Sequence, residues 1–332
     1  MTKRLLALAL ALTLSLAVPA AAQQAASQCP AGNTTTTTGL RQRATQDACQ
    51  QAIDLFQYMV PQLGIAITGG NATLGQGGAL GGLGHFTVGL RANVLRGTVP
   101  QVDRVTVSTT GAVRRTNYPT TNQFLGLPAV DASIGLFKGL PLGLTNVGGV
   151  DLLLSASYVP KVNADNVTVD PDSPLKIGYG VRVGAIQESL LLPGVSFTFL
   201  KRDLPKTTIT GTESGASLTV SDLDVETTAW RVVASKSLIL FSVAAGVGQD
   251  TYDASTNVRG TVTGGVTSDN IPMSQKLTRT NYFADLSLNL LLAKIVGEIG
   301  MVSGGTVSTY NQFDSAPDKS RVYGSLGVRI GF

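Results

Sequence analysis

The last thirteen residues, 320–332 (SRVYGSLGVRIGF), alternate strictly between apolar and polar or small side chains and stop on an aromatic. Successive side chains of a strand point to opposite faces, so Val322, Leu326, Val328, Ile330 and Phe332 share one face while Arg321, Tyr323, Ser325 and Arg329 share the other. The strand therefore has one apolar face and one polar, cationic face, and the rest of the chain must account for both.

The opposite end has the layout of a secretory signal peptide. Lys3 and Arg4 precede an apolar run at 5–18, and Ala20-Ala21-Ala22 forms an A-x-A cleavage site before Gln23. The run is short for a membrane span and no stop-transfer pattern follows it. Cys29 follows Ala-Ser-Gln, not a Leu-rich lipobox, so a lipid anchor is not expected. Cleavage after residue 22 removes two of the 25 basic residues and lowers the formal charge from +4 to +2. With so little charge, and none of it clustered, a nucleic-acid partner is excluded. The mature chain has no apolar run of 18 residues, which excludes a helical membrane protein, whereas a barrel hides its hydrophobicity by alternation.

Nine further alternating segments precede the last. The first sets Phe86, Val88, Leu90, Ala92 and Val94 against Arg91 and Asn93, and the second sets Val130, Ala132, Ile134 and Leu136 against Asp131 and Ser133. The third turns Leu152, Leu154, Ala156 and Tyr158 away from Asp151. The fourth alternates Ile177, Tyr179, Val181, Val183 and Ala185 with Lys176, Gly178, Gly180, Arg182 and Gly184. In the fifth, Val195, Phe197 and Phe199 oppose Ser196 and Thr198; in the sixth, Trp230, Val232 and Ala234 oppose Arg231. The seventh runs from Ile239 through Phe241 to Val247 against Ser242, Gly246 and Gly248. The eighth sets Tyr282 to Leu290 against Asp285, Ser287 and Asn289, and the ninth, 295–302, turns Glu298 inward. Segments after odd strands are long and polar (96–122, 160–173, 203–225, 253–276, 303–319), and those after even strands are mostly shorter (138–149, 188–194, 236–237, 291–294). Such sorting is the asymmetry of a membrane barrel, with long external loops and short periplasmic turns. The expected fold is all-β, an antiparallel up-and-down transmembrane barrel of about ten strands, or 12–14 if segments such as 207–225 contribute strands.

On these features the chain resembles bacterial outer-membrane β-barrel proteins. The resemblance implies that Val328, Ile330 and Phe332 form the carboxy-terminal signal read by the barrel-assembly machinery. It also implies outer-membrane lipid and lipopolysaccharide as surroundings.

Residues 23–84 form an extension ahead of the barrel at 85–332. Residues 23–44 are small and polar, with a threonine run at 34–38, and little order is expected there. A helix is expected at 45–60, with Thr45 as N-cap, Asp47 in the first turn, an apolar stripe of Ala48, Ala52, Leu55, Phe56 and Met59, and Pro61 as its stop. Residues 64–84 then hold nine glycines. They are not a phosphate-binding loop: no Gly-Lys-Ser/Thr follows, and Leu80 stands where the third glycine of Gly75-x-Gly77 would be needed. Backbone that packs closely or threads a confined space explains them better. The order of helix, glycine-rich segment and barrel is similar to plugged fatty-acid and hydrocarbon transporters of the outer membrane, though Gly70-Asn71-Ala72 lacks the proline of that family's Asn-Pro-Ala signature.

Catalysis finds little support. His85 is the only histidine and falls near the periplasmic end, whereas the outer-membrane phospholipases that resemble this architecture use Ser and His near the outer leaflet. One His and two separated Cys do not make a zinc site. Asp165, Asp170 and Asp172 form an acidic loop that bears comparison with a calcium site but reads as ordinary solvated surface. Cys29 and Cys49 are a disulfide candidate in an exported chain, with two free thiols as the alternative. No cofactor or metal is expected.

The lumen is thus the candidate functional region. Arg91, Lys176, Arg182, Arg231, Arg321 and Arg329 face inward with Asp131, Asp151, Asp285 and Glu298. These groups either line a weakly anion-preferring pore or pair with one another to plug a small barrel. The expected function is a passive channel or transporter for small solutes, hydrophobic ones among them. A non-transporting structural or surface-interaction barrel is the alternative.

Overall fold

The computed structural model describes residues 27–30, 37–71, 73–164, 166–213, 215–264 and 266–331. The signal-peptide segment 1–22, Asp165 and Phe332 lie outside the described residues.

Ten long strands form the wall: β1 (Phe86–Pro100), β2 (Thr120–Phe137), β3 (Gly149–Tyr158), β4 (Leu175–Ile186), β5 (Gly194–Asp203), β6 (Ala216–Ser237), β7 (Phe241–Val262), β8 (Ile271–Asn289), β9 (Ala293–Val302) and β10 (Arg321–Gly331). Each pairs antiparallel with its sequence neighbours, and β1 also pairs with β10, so the sheet closes on itself. At the closure Leu90 stands opposite Val328 and Ala92 opposite Leu326. The molecule is a closed ten-stranded antiparallel barrel, and closure leaves the ring no edge to protect.

Alternation sets the two faces. On β4 the odd residues Ile177, Tyr179, Val181 and Val183 are exposed on the outside, while Gly178, Gly180, Arg182 and Gly184 are buried. The outward sets of the other strands join them in a continuous apolar belt, on which Phe197 and Trp230 stack across neighbouring strands at 6.2 Å. Val328 and Ile330 belong to this belt. An apolar outer belt on strands whose interior is charged inverts the usual soluble pattern and matches a wall immersed in lipid.

Connections differ at the two ends. At one they are 138–148, 187–193, 238–240 and 290–292; at the other they are 101–119, 159–174, 204–215, 263–270 and 303–320. Ile239 lies in the turn at 238–240, so β7 starts at Phe241. The polar stretches 203–225 and 253–276, expected as loops, are largely strand. β6 and β7 each run 22 residues, about twice what spans a bilayer, and rise beyond the shorter wall at the long-loop end. Thr207–Glu213 and Val167–Pro171 extend this raised sheet sideways without entering the ring. Their threonine-rich alternation suits a pleated surface with water on its outer side, which a search for lipid-facing strands passes over.

The helix α1 spans Thr37–Thr68, longer at both ends than the expected 45–60. Pro61 lies inside it: proline removes one intrahelical hydrogen bond, but the helix is enclosed on all sides and packing holds its course. Thr45 is no N-cap. Its hydroxyl donates to the Arg41 carbonyl one turn back, at 2.9 Å, and reaches Val266 of the wall. The main hydrophobic core sits inside the barrel, where Ala48, Ala52, Ile53, Phe56 and Val60 meet Leu218, Val225, Tyr252, Val258 and Val302.

Candidate functional site

The amino-terminal segment passes through the ring from the long-loop end to the short-turn end. At the top, Cys29 and Cys49 are joined by a disulfide, with Cα atoms 6.1 Å apart. Gln46 Nε2 donates to the Cys29 carbonyl at 3.0 Å, so the short leading piece is laid along the first turns of the helix. Two long loops close over the helix. Residues Asn117–Tyr118 and Gln312–Phe313 pair as short parallel strands, and the Phe313 ring lies between Tyr58 (4.3 Å) and Tyr118 (5.0 Å). Asp54 accepts the backbone N–H groups of Tyr310 and Asn311 at 2.8 and 3.0 Å, and Asp47 accepts that of Ser108 at 2.8 Å. Tyr118 donates to Gln51 at 2.5 Å.

Burial dominates the electrostatics of this upper region. It pushes Asp54 up to about 6, against the pull of the two N–H groups it accepts. It pushes Glu213, which has Asp47 for a neighbouring charge and no hydrogen-bond partner on either oxygen, up to about 8.

Halfway down, the helix ends against the wall. The last carbonyls of a helix lack partners within it, and its C-terminal end attracts positive charge. Here Asn93 Nδ2 donates to the Ile65 and Ala66 carbonyls (3.2 and 2.8 Å), Arg231 to the Thr68 carbonyl (3.2 Å) and Arg91 to that of Gly69 (2.8 Å). The wall supplies the C-cap. Gly64 passes the face of Tyr252 so closely that a Cβ there would stand 2.4 Å from the ring.

Below the helix, residues 69–84 run without regular structure, so their backbone groups need partners from elsewhere. Acidic wall residues take the N–H groups: Glu298 that of Asn71 (2.8 Å), Asp285 that of Gly75 (3.0 Å) and Asp151 that of Leu80 (3.1 Å). Ser235 Oγ takes that of Gly77 at 2.8 Å. Arg182 donates to the Thr73 hydroxyl, Gln187 to the Ala79 carbonyl (2.7 Å) and Arg329 to Gln76 Oε1 (2.6 Å). Ion pairs within the wall surround these contacts: Arg91 with Asp131 (2.7 Å), Arg182 with Asp151 (2.8 Å), Arg231 with Asp250 (2.5 Å) and Arg202 with Asp131 (3.3 Å). A buried charge is tolerated when it is paired or hydrogen-bonded, and the threaded backbone supplies such bonds to Arg91, Asp151, Arg231, Asp285 and Glu298.

Of the residues singled out from sequence, Arg91, Asp131, Asp151, Arg182, Arg231, Asp285, Glu298 and Arg329 meet in this interior. Arg321 is buried higher up, where it donates to Thr98 Oγ1 at 2.9 Å. Lys176 stands apart at the outer end of β4, partly exposed and opposite Ser157. Asp170 of the acidic loop is engaged by Lys161 at 2.8 Å. Sequence reasoning missed Asn93 as a cap, and missed Arg202 and Asp250 altogether as interior partners; Tyr323 it placed on the inward face, where it donates to Asn281 at 3.0 Å. Continuing the alternation by two or more residues, from Thr198 through Leu200 to Arg202 and from Gly248 to Asp250, would have found both.

Two cavities approach the thread from opposite ends. One of about 250 Å³ lies at the long-loop end beside Cys29, Gln42 and Gln46. Another of about 290 Å³ opens at the short-turn end and stops against Gly75–Leu80; His85 lies in its wall with Lys294 and Arg329.

No protein-family model matches the chain, and no curated protein matches its sequence. Among solved structures it is similar to the transport unit of the autotransporter AIDA-I from Escherichia coli (6% identity, TM-score 0.35, covering 86% of this chain and 99% of that one). It is also similar to the Pseudomonas putida toluene transporter TodX (11% identity, TM-score 0.32, 74% and 88%). A third similarity is to Ail, the attachment invasion locus protein of Yersinia pestis (10% identity, TM-score 0.26, 75% and 99%). All three are β-barrels, as this chain is by its own closed ring, and the likeness extends no further than that.

Proposed function

We propose that the protein is an integral outer-membrane barrel closed to solutes as folded, with its own amino-terminal segment as a built-in plug, and that it serves as a structural or surface-interaction barrel. One observation carries the reading: five buried charges of the wall, Arg91, Asp151, Arg231, Asp285 and Glu298, are engaged by the threaded backbone, so the segment completes the interior. Long loops at one end and short turns at the other orient the long loops outward, by the asymmetry general to such barrels.

Planar-bilayer recording tests it. The intact protein is expected to give no stable conductance steps. Removal of residues 37–78 is expected to prevent assembly, because the helix supplies eight of the 25 described residues buried in the interior core. Stable steps from the intact protein would overturn the proposal.

A second reading, a small-solute channel gated by the thread, is favoured by the contrast between residues 69–84 and the helix. That lower segment is fixed almost wholly by polar contacts, which exchange readily for water. An assembled, conducting barrel after the deletion would decide for the channel.

A further inference from the structure

We propose that the short-turn end of the barrel is a lipid-binding surface: its four turns lie in the hydrocarbon of the inner leaflet, and the cavity they surround holds the headgroup of an anionic phospholipid. The proposal rests on the reading of the chain as a membrane barrel.

The tips of these turns are aliphatic. Residues 190–192, 238–240 and 290–292 are each three large aliphatic side chains, and the fourth turn carries Leu140, Leu142 and Leu144. They point away from the protein: Leu190 is 92% exposed, Ile239 95% and Leu291 98%. Leu83 fills the remaining position on the ring, ahead of β1. Polar turn formers dominate turns that meet water, so four turns with such tips need an apolar medium. They are continuous with the lipid belt, since Leu240 leads into Phe241 and Leu292 into Ile295, both on the outer face. The occupant is therefore the one that covers the belt.

The backbone agrees. Polar groups in hydrocarbon must be satisfied from within the protein. Lys236 Nζ donates to the carbonyls of Ser189, Leu190 and Leu192 at 2.5, 2.9 and 3.4 Å. Asn289 Nδ2 donates to the Leu238 carbonyl at 3.1 Å. The N–H groups of Ser189, Leu238 and Leu290 bond across their own turns. The Glu188 carboxylate accepts both the N–H and the hydroxyl of Ser237.

Inside this apolar ring lies the polar cavity of about 290 Å³. Lys294 and Arg329 face it with His85, and residues 290–292 form one side. The Glu188 carboxylate also lines the cavity but is taken up by Ser237, so Lys294 makes no direct hydrogen bond or ion pair among the described residues and feels Glu188 only at longer range. Arg329 gives one bond to Gln76. A phosphodiester fits this arrangement: its oxygens take the ammonium and guanidinium, while its acyl chains lie on the leucines beside it.

The native cysteines are bonded to each other, so single cysteines introduced as Leu291→Cys and Val181→Cys take an environment-sensitive fluorophore selectively. In vesicles of phosphatidylcholine with phosphatidylglycerol, the Leu291→Cys label is expected to be quenched by acyl-chain nitroxides to within twofold of the Val181→Cys label, and to be insensitive to iodide. Native mass spectrometry of protein extracted from the same vesicles is expected to retain one phosphatidylglycerol per chain, falling at least tenfold in a Lys294→Gln/Arg329→Gln variant. Water at both labels overturns the membrane reading and this proposal with it. Water at Leu291→Cys alone overturns this proposal only. Equal retention of the two lipids, or retention unchanged by the double substitution, overturns the headgroup site.

Discussion

The upper and lower halves of the threaded segment are held by different physics. The helix lies in a core of aliphatic and aromatic side chains, where Ile53, Val60 and Ala52 are fully buried against the long strands β6 and β7. The glycine-rich stretch below it has Leu74 as a lone large apolar contact, near Gly327, and otherwise hangs on charges of the wall. Apolar burial is strong and undirected; charged hydrogen bonds are directed and nearly cancel against desolvation. The helix thus supplies stability, and the thread fixes the path through the ring.

Substitutions separate the two contributions, beginning with the largest. Ile53→Asp places an unpaired carboxylate in the core, at a cost of roughly 5 kcal/mol or more, and the barrel is expected not to reach its heat-modifiable folded form on gels. Arg182→Met leaves Asp151 buried without its partner and is expected to destabilise by about 3–5 kcal/mol in urea titrations. If Arg182→Met/Asp151→Leu recovers most of that loss, the lower ion pairs specify the path more than they stabilise it. Cys29→Ser/Cys49→Ser opens the loop at the top of the helix and is expected to lower stability by about 3 kcal/mol, with no change to the thread.

The upper half also carries a pH dependence. Asp54 in the folded protein is raised to about 6 from an ordinary 3.8, so the folded state binds more protons between those values. Stability therefore falls as pH rises from about 4 to 6, by up to about 3 kcal/mol from this group, and Glu213, raised to about 8, carries the fall on towards pH 8. Melting in detergent at pH 4.5 and 7 measures the difference, of which Asp54→Asn is expected to remove Asp54's share and to leave that of Glu213. The smallest effect belongs to the exposed pair of Lys276 and Asp253 on the raised sheet, where Lys276→Ala is expected to change stability by less than about 1 kcal/mol.

The same contrast explains what the sequence made legible. Lipid forces a strict period of two, so the ring strands were readable from single faces such as 177–185. Beyond the bilayer the requirement relaxes, and the threonine-rich ends of β6 and β7 read as loops although they are strand. The helix ends were misplaced because Thr45 and Pro61 carry strong local signals that an enclosing wall overrides. The charges of the interior were readable, but their partners were not. Nothing in Asn71, Gly75 or Leu80 announces that its backbone N–H meets a carboxylate more than 70 residues away.

A strand of chain drawn through a ring formed by the same chain has an order of events written into it. The helix is about 10 Å wide and carries a covalent loop at its leading end. In the finished ring that helix and the residues below it fill the bore, bonded to the wall at every level. A wall that closes with the segment already lying along its inner face meets these contacts without threading a loop through a finished ring. The segment acts as the mandrel on which the barrel is rolled, and the leading end is left on the far side of the membrane from the turn at which β1 begins.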